Sequence, residues 1–86
     1  MNKIDDKNAV KILFGARLKA IRTSNNLSLQ KTDAQSDLDS SNIYKYETGK
    51  RDPQLTTIIK LAQALKVHPK ELFDIDFGID FTAGLK

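Results

Sequence analysis

The sequence predicts an all-α domain, a compact five-helix bundle followed by a short C-terminal extended tail, and three features carry that prediction. Apolar residues recur at helical spacing in two stretches, Val10 to Ile21 and Leu55 to Leu65. Residues that start or stop helices punctuate the chain around them: Asn25-Asn26, Ser28, Asp39, Gly49, Asp52-Pro53 and His68-Pro69. A two-residue alternation, the period of a strand, occurs only after Asp74.

Residues 1–6 are polar and are expected to form a flexible N-terminus, with Asp5 or Asp6 capping the first helix. Val10, Phe14, Leu18 and Ile21, spaced by 4, 4 and 3, form its inward stripe, bordered by Arg17 and Arg22. Asn25-Asn26 ends it, because asparagine tolerates the left-handed backbone better than other non-glycine residues. The second helix starts after the cap Ser28 and runs to about Ser36. Its inward positions, Leu29, Thr32, Asp33 and Ser36, are a poor apolar set, so either Leu29 and Ala34 suffice or Thr32 and Asp33 make hydrogen bonds. A buried aspartate requires a partner, such as a lysine or a backbone amide, or else partial exposure.

The third helix lies between Asp39, whose carboxylate can accept first-turn amides, and Gly49, which can take the left-handed conformation that ends a helix. At about 100 degrees per residue, Asp39, Ile43, Tyr46 and Glu47 fall on one side. Ser41, Lys45 and Thr48 fall opposite, flanked by Asn42 and Tyr44. That outer side gathers hydroxyls, an amide, a phenol and an ammonium, groups that bond base edges and phosphates.

Pro53 suits the start of a fourth helix, in which Leu55, Ile58, Leu61, Ala62 and Leu65 share a side. His68-Pro69 opens a short fifth helix in which Leu72 and Phe73 supply apolar contact. His68 is read as its plain N-terminal residue, since no second histidine and no cysteine completes a metal site. In the tail, residues 75–86, Ile75, Phe77, Ile79 and Phe81 alternate with Asp76, Gly78 and Asp80, as in a strand with one apolar face.

Eighty-six residues suffice for one modest core and one domain, here residues 7–74. The absence of cysteine excludes a disulfide framework and a thiolate metal site. No catalytic set of nucleophile, base and orienting group can be assembled from a single histidine and scattered carboxylates, so neither an enzyme nor a cofactor is expected. No apolar run approaches the roughly 18 residues of a membrane span. No signal-peptide core opens the chain, so a cytoplasmic location without a membrane partner is expected. The net charge of +3 conceals an asymmetry: residues 1–73 carry 13 basic and 8 acidic groups, a net +5. That charge attracts a polyanion or simply keeps the surface solvated, and does not by itself separate the two.

Taken together, Leu27-Ser28, the spacing through Asp37, Ile43, Tyr46-Glu47, Gly49-Lys50-Arg51 and the pattern from Pro53 to Phe73 resemble the Xre/Cro/lambda-repressor helix-turn-helix family over residues 10–74. The resemblance implies a lambda-repressor-like domain whose third helix, residues 39–48, enters the major groove of double-stranded DNA, from each half of a homodimer. It implies a sequence-specific transcriptional regulator acting as a repressor, of plasmid, phage or restriction-modification type or as the DNA-binding half of a toxin-antitoxin system. The matching positions make Ser40, Ser41, Asn42, Tyr44 and Lys45 base-facing. They make Ser28, Leu29, Thr48, Lys50 and Arg51 phosphate-facing, and pair Arg22 with Glu47 in a structural ion pair. Thr32 and Asp33 stand where the family has leucine and a small alanine, and Asp37 stands where glycine often turns the chain.

The competing reading keeps the fold but turns the outer face of the third helix toward a protein partner, as in an antitoxin-like interaction module. In either case the apolar surplus of Leu72, Phe73, Ile75, Phe77, Ile79 and Phe81 points to the fifth helix and the tail as a dimerisation surface, with closure of the monomer's own core as the alternative.

Overall fold

The computed structural model describes residues 6–78, so the expectations for residues 1–5 and for Ile79, Asp80 and Phe81 fall outside the described residues. Four α-helices follow in order: α1 (Lys7–Ser24), α2 (Leu29–Ser36), α3 (Ser40–Glu47) and α4 (Leu55–Leu65). The expected fifth helix is a five-residue 3-10 helix, Pro69–Phe73. Its length explains the difference: Pro69 supplies no amide donor, and the Glu71 amide closes on the His68 carbonyl at 2.9 Å, the tighter i to i+3 bond of a short turn. Among the described residues there is no strand, and residues 75–78 run irregularly. No helix among the described residues is long and apolar enough to cross a membrane.

The helix ends follow local chemistry. Asp6 caps α1 by accepting from the amides of Asn8 (2.9 Å) and Ala9 (3.2 Å). Asn26, at φ 58°, then turns the chain left-handed. Ser28 caps α2 and Asp39 caps α3, each accepting from the backbone one turn in. Asp37, at φ 59°, makes the turn between α2 and α3. Pro53 does not begin α4; Gln54 takes the cap position without a side-chain bond, and Leu55 is the first helical residue. α4 ends on Lys66 in the left-handed conformation, a role its side chain does not announce.

Phe14, Leu18, Ile21, Ile43, Tyr46, Leu61, Ala62, Leu65 and Leu72 form the core, with Leu27, Leu29, Leu38, Ile58, Val67 and Ile75 packed on it. Each large aliphatic side chain buried here contributes about 1.5–3 kcal/mol. The stripe expected on α4 is interrupted at its start, because Leu55 is 73% exposed. Ile59 is exposed as well. One turn past α4, the 3-10 helix is held to α1 by Arg17, which donates to the Glu71 carbonyl at 2.9 Å and lies 3.7 Å from its carboxylate. Phe73 packs on Phe14 with ring centroids 5.5 Å apart, yet remains 48% exposed.

α2 buries a polar face and satisfies it locally. The Thr32 hydroxyl donates to the Ser28 carbonyl at 3.0 Å, and the buried Ser36 hydroxyl accepts from the Leu38 amide at 3.2 Å. Ala34 is exposed and adds nothing to the core, so of the two routes to a stable α2 the chain takes hydrogen bonding, with Leu29 half-buried beside it. Among the described residues, every buried side-chain nitrogen or oxygen has a partner.

Candidate nucleic-acid interface

α3 is held at both ends and along its inner face. At its start Asp39 accepts from the Ser41 amide at 3.0 Å. Asp33, reaching across from α2, accepts from both the amide (3.0 Å) and the hydroxyl (2.8 Å) of Ser40. The partner that a half-buried Asp33 requires is therefore the first turn of α3 and not a lysine. A carboxylate here also faces the positive end of the α3 dipole.

Ile43, Tyr46 and Glu47 are buried on the inner face, whereas Asp39, projected to the same side, is exposed at the cap. Gly15 of α1 lies directly under the end of α3; a Cβ there would come within 2.5 Å of the Glu47 carbonyl oxygen. Glu47 turns its carboxylate into the interior, where the Arg22 guanidinium grips both oxygens through Nε and Nη2, the latter at 3.0 Å. The remaining Nη1 of Arg22 donates to the Leu27 carbonyl at 2.6 Å, so one arginine ties α1, the loop before α2 and the end of α3.

The outer face is polar. Ser41, Tyr44 and Thr48 are exposed, while Ser40, Asn42 and Lys45 are half-buried. Beyond Thr48 the chain turns at Gly49 (φ +75°), whose α-carbon side abuts Ile12. Both the Lys50 amide (2.9 Å) and the Arg51 amide (3.3 Å) then return to the Lys45 carbonyl. This fold-back lays the two cations on the helix they follow. Arg51 donates to the Asn42 side-chain oxygen at 2.8 Å, and the Lys50 ammonium sits 5.6 Å from the centre of the Tyr44 ring, within cation–π range. Asn42, Tyr44, Lys50 and Arg51 are thus drawn together, and the Thr48 hydroxyl beside them donates to the Tyr44 carbonyl at 2.9 Å.

Ser28 and Leu29 stand apart from that group, at the start of α2. The Ser28 oxygen accepts from the Lys31 amide at 3.1 Å, and Leu29 is half-buried against the core. No hydrogen bond among the described residues links them to the loop after α3. His68 caps the 3-10 helix, its Nδ1 accepting from the Lys70 amide at 3.1 Å. Among the described residues no three metal-ligating side chains gather. Asp33 was expected to need a partner such as a backbone amide, but sequence reasoning did not identify that partner as Ser40, and it missed Gly15, whose signal is a glycine inside an otherwise apolar helix.

Residues 18–72 match the helix-turn-helix family. Control protein C.BamHI of Bacillus amyloliquefaciens is 38% identical over 68 residues, 78% of this chain and 84% of that protein. The crystal structure of the restriction-modification controller protein C.AhdI from Aeromonas hydrophila superposes with a TM-score of 0.74 at 42% identity, covering 76% of this chain and 98% of that one. A helix-turn-helix family transcriptional regulator from Vibrio cholerae superposes with a TM-score of 0.75 at 25% identity, covering 78% of this chain and 38% of that one. Two helices joined at Asp37, an outward polar face on the second and a match extending over more than half the chain lead to one conclusion: the chain belongs to the Xre/lambda-repressor-like helix-turn-helix family of DNA-binding transcriptional regulators.

Proposed function

We propose that the chain is a sequence-specific repressor that binds double-stranded DNA as a homodimer in the cytoplasm, with α3 of each copy in the major groove. In this reading Ser40, Ser41, Asn42, Tyr44 and Lys45 face bases. Thr48, Lys50 and Arg51 face the phosphates beyond the helix, and the amino end of α2, at Ser28 and Leu29, faces phosphates on the other side. The observation that carries the reading is the fold-back after Gly49, which sets Lys50 and Arg51 beside Tyr44 and Asn42. Cations placed where a backbone passes neutralise phosphate, and polar side chains beside them reach base edges.

The similarity to control protein C.BamHI and to the restriction-modification controller protein C.AhdI favours restriction-modification genes as the regulated target. The rival reading, a protein partner on α3, fits less well. The outer face of α3 is polar apart from the Tyr44 ring, whereas of the other exposed apolar side chains Leu55 and Ile59 belong to α4, Phe73 to the 3-10 helix and Ile12 to α1. An apolar surface away from the recognition helix suits a second copy of the chain, which a two-fold DNA site requires with its recognition helices about 34 Å apart.

Two lysines test the assignment. Lys45→Ala should cost about 1–3 kcal/mol on the preferred sequence and relax the preference at one position. Lys50→Ala should weaken all sequences alike and lower the salt slope by about two, about one for each copy of the homodimer. Equal effects of both changes on preferred and random DNA would refute the division between base and phosphate contacts.

A further inference from the structure

We propose that Asp33 is a specificity-determining positioning residue: by holding the hydroxyl proton of Ser40 it restricts that serine to accepting hydrogen bonds from DNA, so that Ser40 selects adenine or cytosine over guanine and thymine. The proposal rests on the reading of α3 as the base-contacting helix. A serine hydroxyl has one proton and two lone pairs, so an unconstrained serine bonds donors and acceptors alike and reads bases poorly.

Here the proton is committed. The Ser40 hydroxyl donates to Asp33 Oδ2 at 2.8 Å, a bond strengthened by the charge of its acceptor. The same oxygen takes the Ser40 amide at 3.0 Å. Asp33 is half-buried, and these are its hydrogen bonds among the described residues, apart from its own backbone within α2. To swing its proton toward a base, Ser40 would have to leave the carboxylate with the amide alone, in a setting where a poorly partnered charge is costly. The competing acid at this helix start, Asp39, does not hold the hydroxyl; it accepts from the Ser41 amide.

Ser40 is half-buried, and with its proton held by Asp33 its oxygen keeps only lone pairs to offer a DNA group. In the major groove adenine and cytosine offer amino donors, N6 and N4, whereas guanine offers the acceptors N7 and O6 and thymine the acceptor O4. A base acceptor would meet an oxygen with no proton to give, backed by a negative charge. Position 33 thereby sets the direction of a hydrogen bond that it does not itself make to DNA.

The test is selection of duplexes from a random pool by the full chain and by its Ser40→Ala, Asp33→Ala and Asp33→Asn variants. The unaltered protein should enrich adenine or cytosine about tenfold over guanine and thymine at one position of each half-site. Ser40→Ala should lose that preference at that position alone. Asp33→Ala should admit guanine and thymine there, with the rest of the profile and the salt dependence unchanged. Asp33→Asn keeps an acceptor for the Ser40 amide and holds the hydroxyl proton less tightly, so it should relax the same position in the same direction and serves if Asp33→Ala does not fold. Guanine or thymine preferred at the Ser40-dependent position, no Ser40-dependent position, or an Asp33→Asn variant with an unaltered profile would overturn the proposal. In those cases the chain still selects sequences; a chain that enriches no sequence at all would instead refute base reading by α3.

Discussion

Gly15 of α1 and Glu47 at the end of α3 approach so closely that a Cβ on the glycine would stand 2.5 Å from the Glu47 carbonyl oxygen and 2.7 Å from its carbonyl carbon. The neighbours are backbone atoms, which cannot swing aside as a flexible side chain can. At an exposed helical position Gly→Ala stabilises by roughly 1 kcal/mol through helix propensity. At position 15 the sign should reverse: overpacking of about 1–3 kcal/mol exceeds that gain, and Gly15→Ala should lower the denaturant midpoint. An unchanged or raised midpoint would mean that α1 and α3 can separate freely.

Beside that contact, Arg22 and Glu47 form the ion pair on which the end of α3 rests, with side chains only 10% and 2% exposed. Removing either partner alone should cost about 3–5 kcal/mol, because the survivor is left charged and buried. Replacing both with apolar residues should recover much of the loss, so a double-mutant cycle should give a large coupling energy. Arg22 also holds the Leu27 carbonyl, so Arg22→Leu is expected to be the more damaging single change. Coupling near zero would contradict the arrangement.

What was legible in the sequence was local. Asp6, Ser28 and Asp39 cap helices because their own oxygens reach amides two or three residues on, and the chain turns at Asn26 and Asp37, whose short polar side chains tolerate positive φ, and at Gly49, which has no Cβ to oppose it. The outward placement of Ser41, Tyr44 and Thr48 followed from angular projection alone. What was not legible depended on distant neighbours. Asp33 read as a misfit in a packing position until Ser40 was brought to it. Leu55 belongs to the apolar stripe of α4, but nothing packs over that end of the helix within the described residues. Pro69–Phe73 is too short for periodicity to distinguish an α-helix from a 3-10 helix. The bond between Asn42 and Arg51 depends on a loop folding back, which no spacing encodes.

Assembly should depend on the apolar surface of α4 and the 3-10 helix. Ile59→Asp puts a charge on an exposed apolar face and should weaken self-association at least tenfold in sedimentation run at several concentrations, with little loss of monomer stability. Truncation after Asp74 separates this surface from the tail. If the shortened chain associates as tightly as the full one and Ile59→Asp does not, α4 carries the interface; if truncation alone abolishes association, the tail does. Tight association that survives both changes together would place the interface elsewhere.

In the proposed complex α3 and the loop after it bind DNA by combining base reading with phosphate neutralisation. The most direct test of that combination is the equilibrium affinity of the full chain for a selected duplex and for a scrambled one, across a range of salt. With Lys50 and Arg51 from each of two copies on phosphates, log K should fall against log salt with a slope of about −4. At fixed salt the selected duplex should bind at least about a thousandfold more tightly than the scrambled one. Affinity independent of salt, or equal for the two duplexes, would contradict the account.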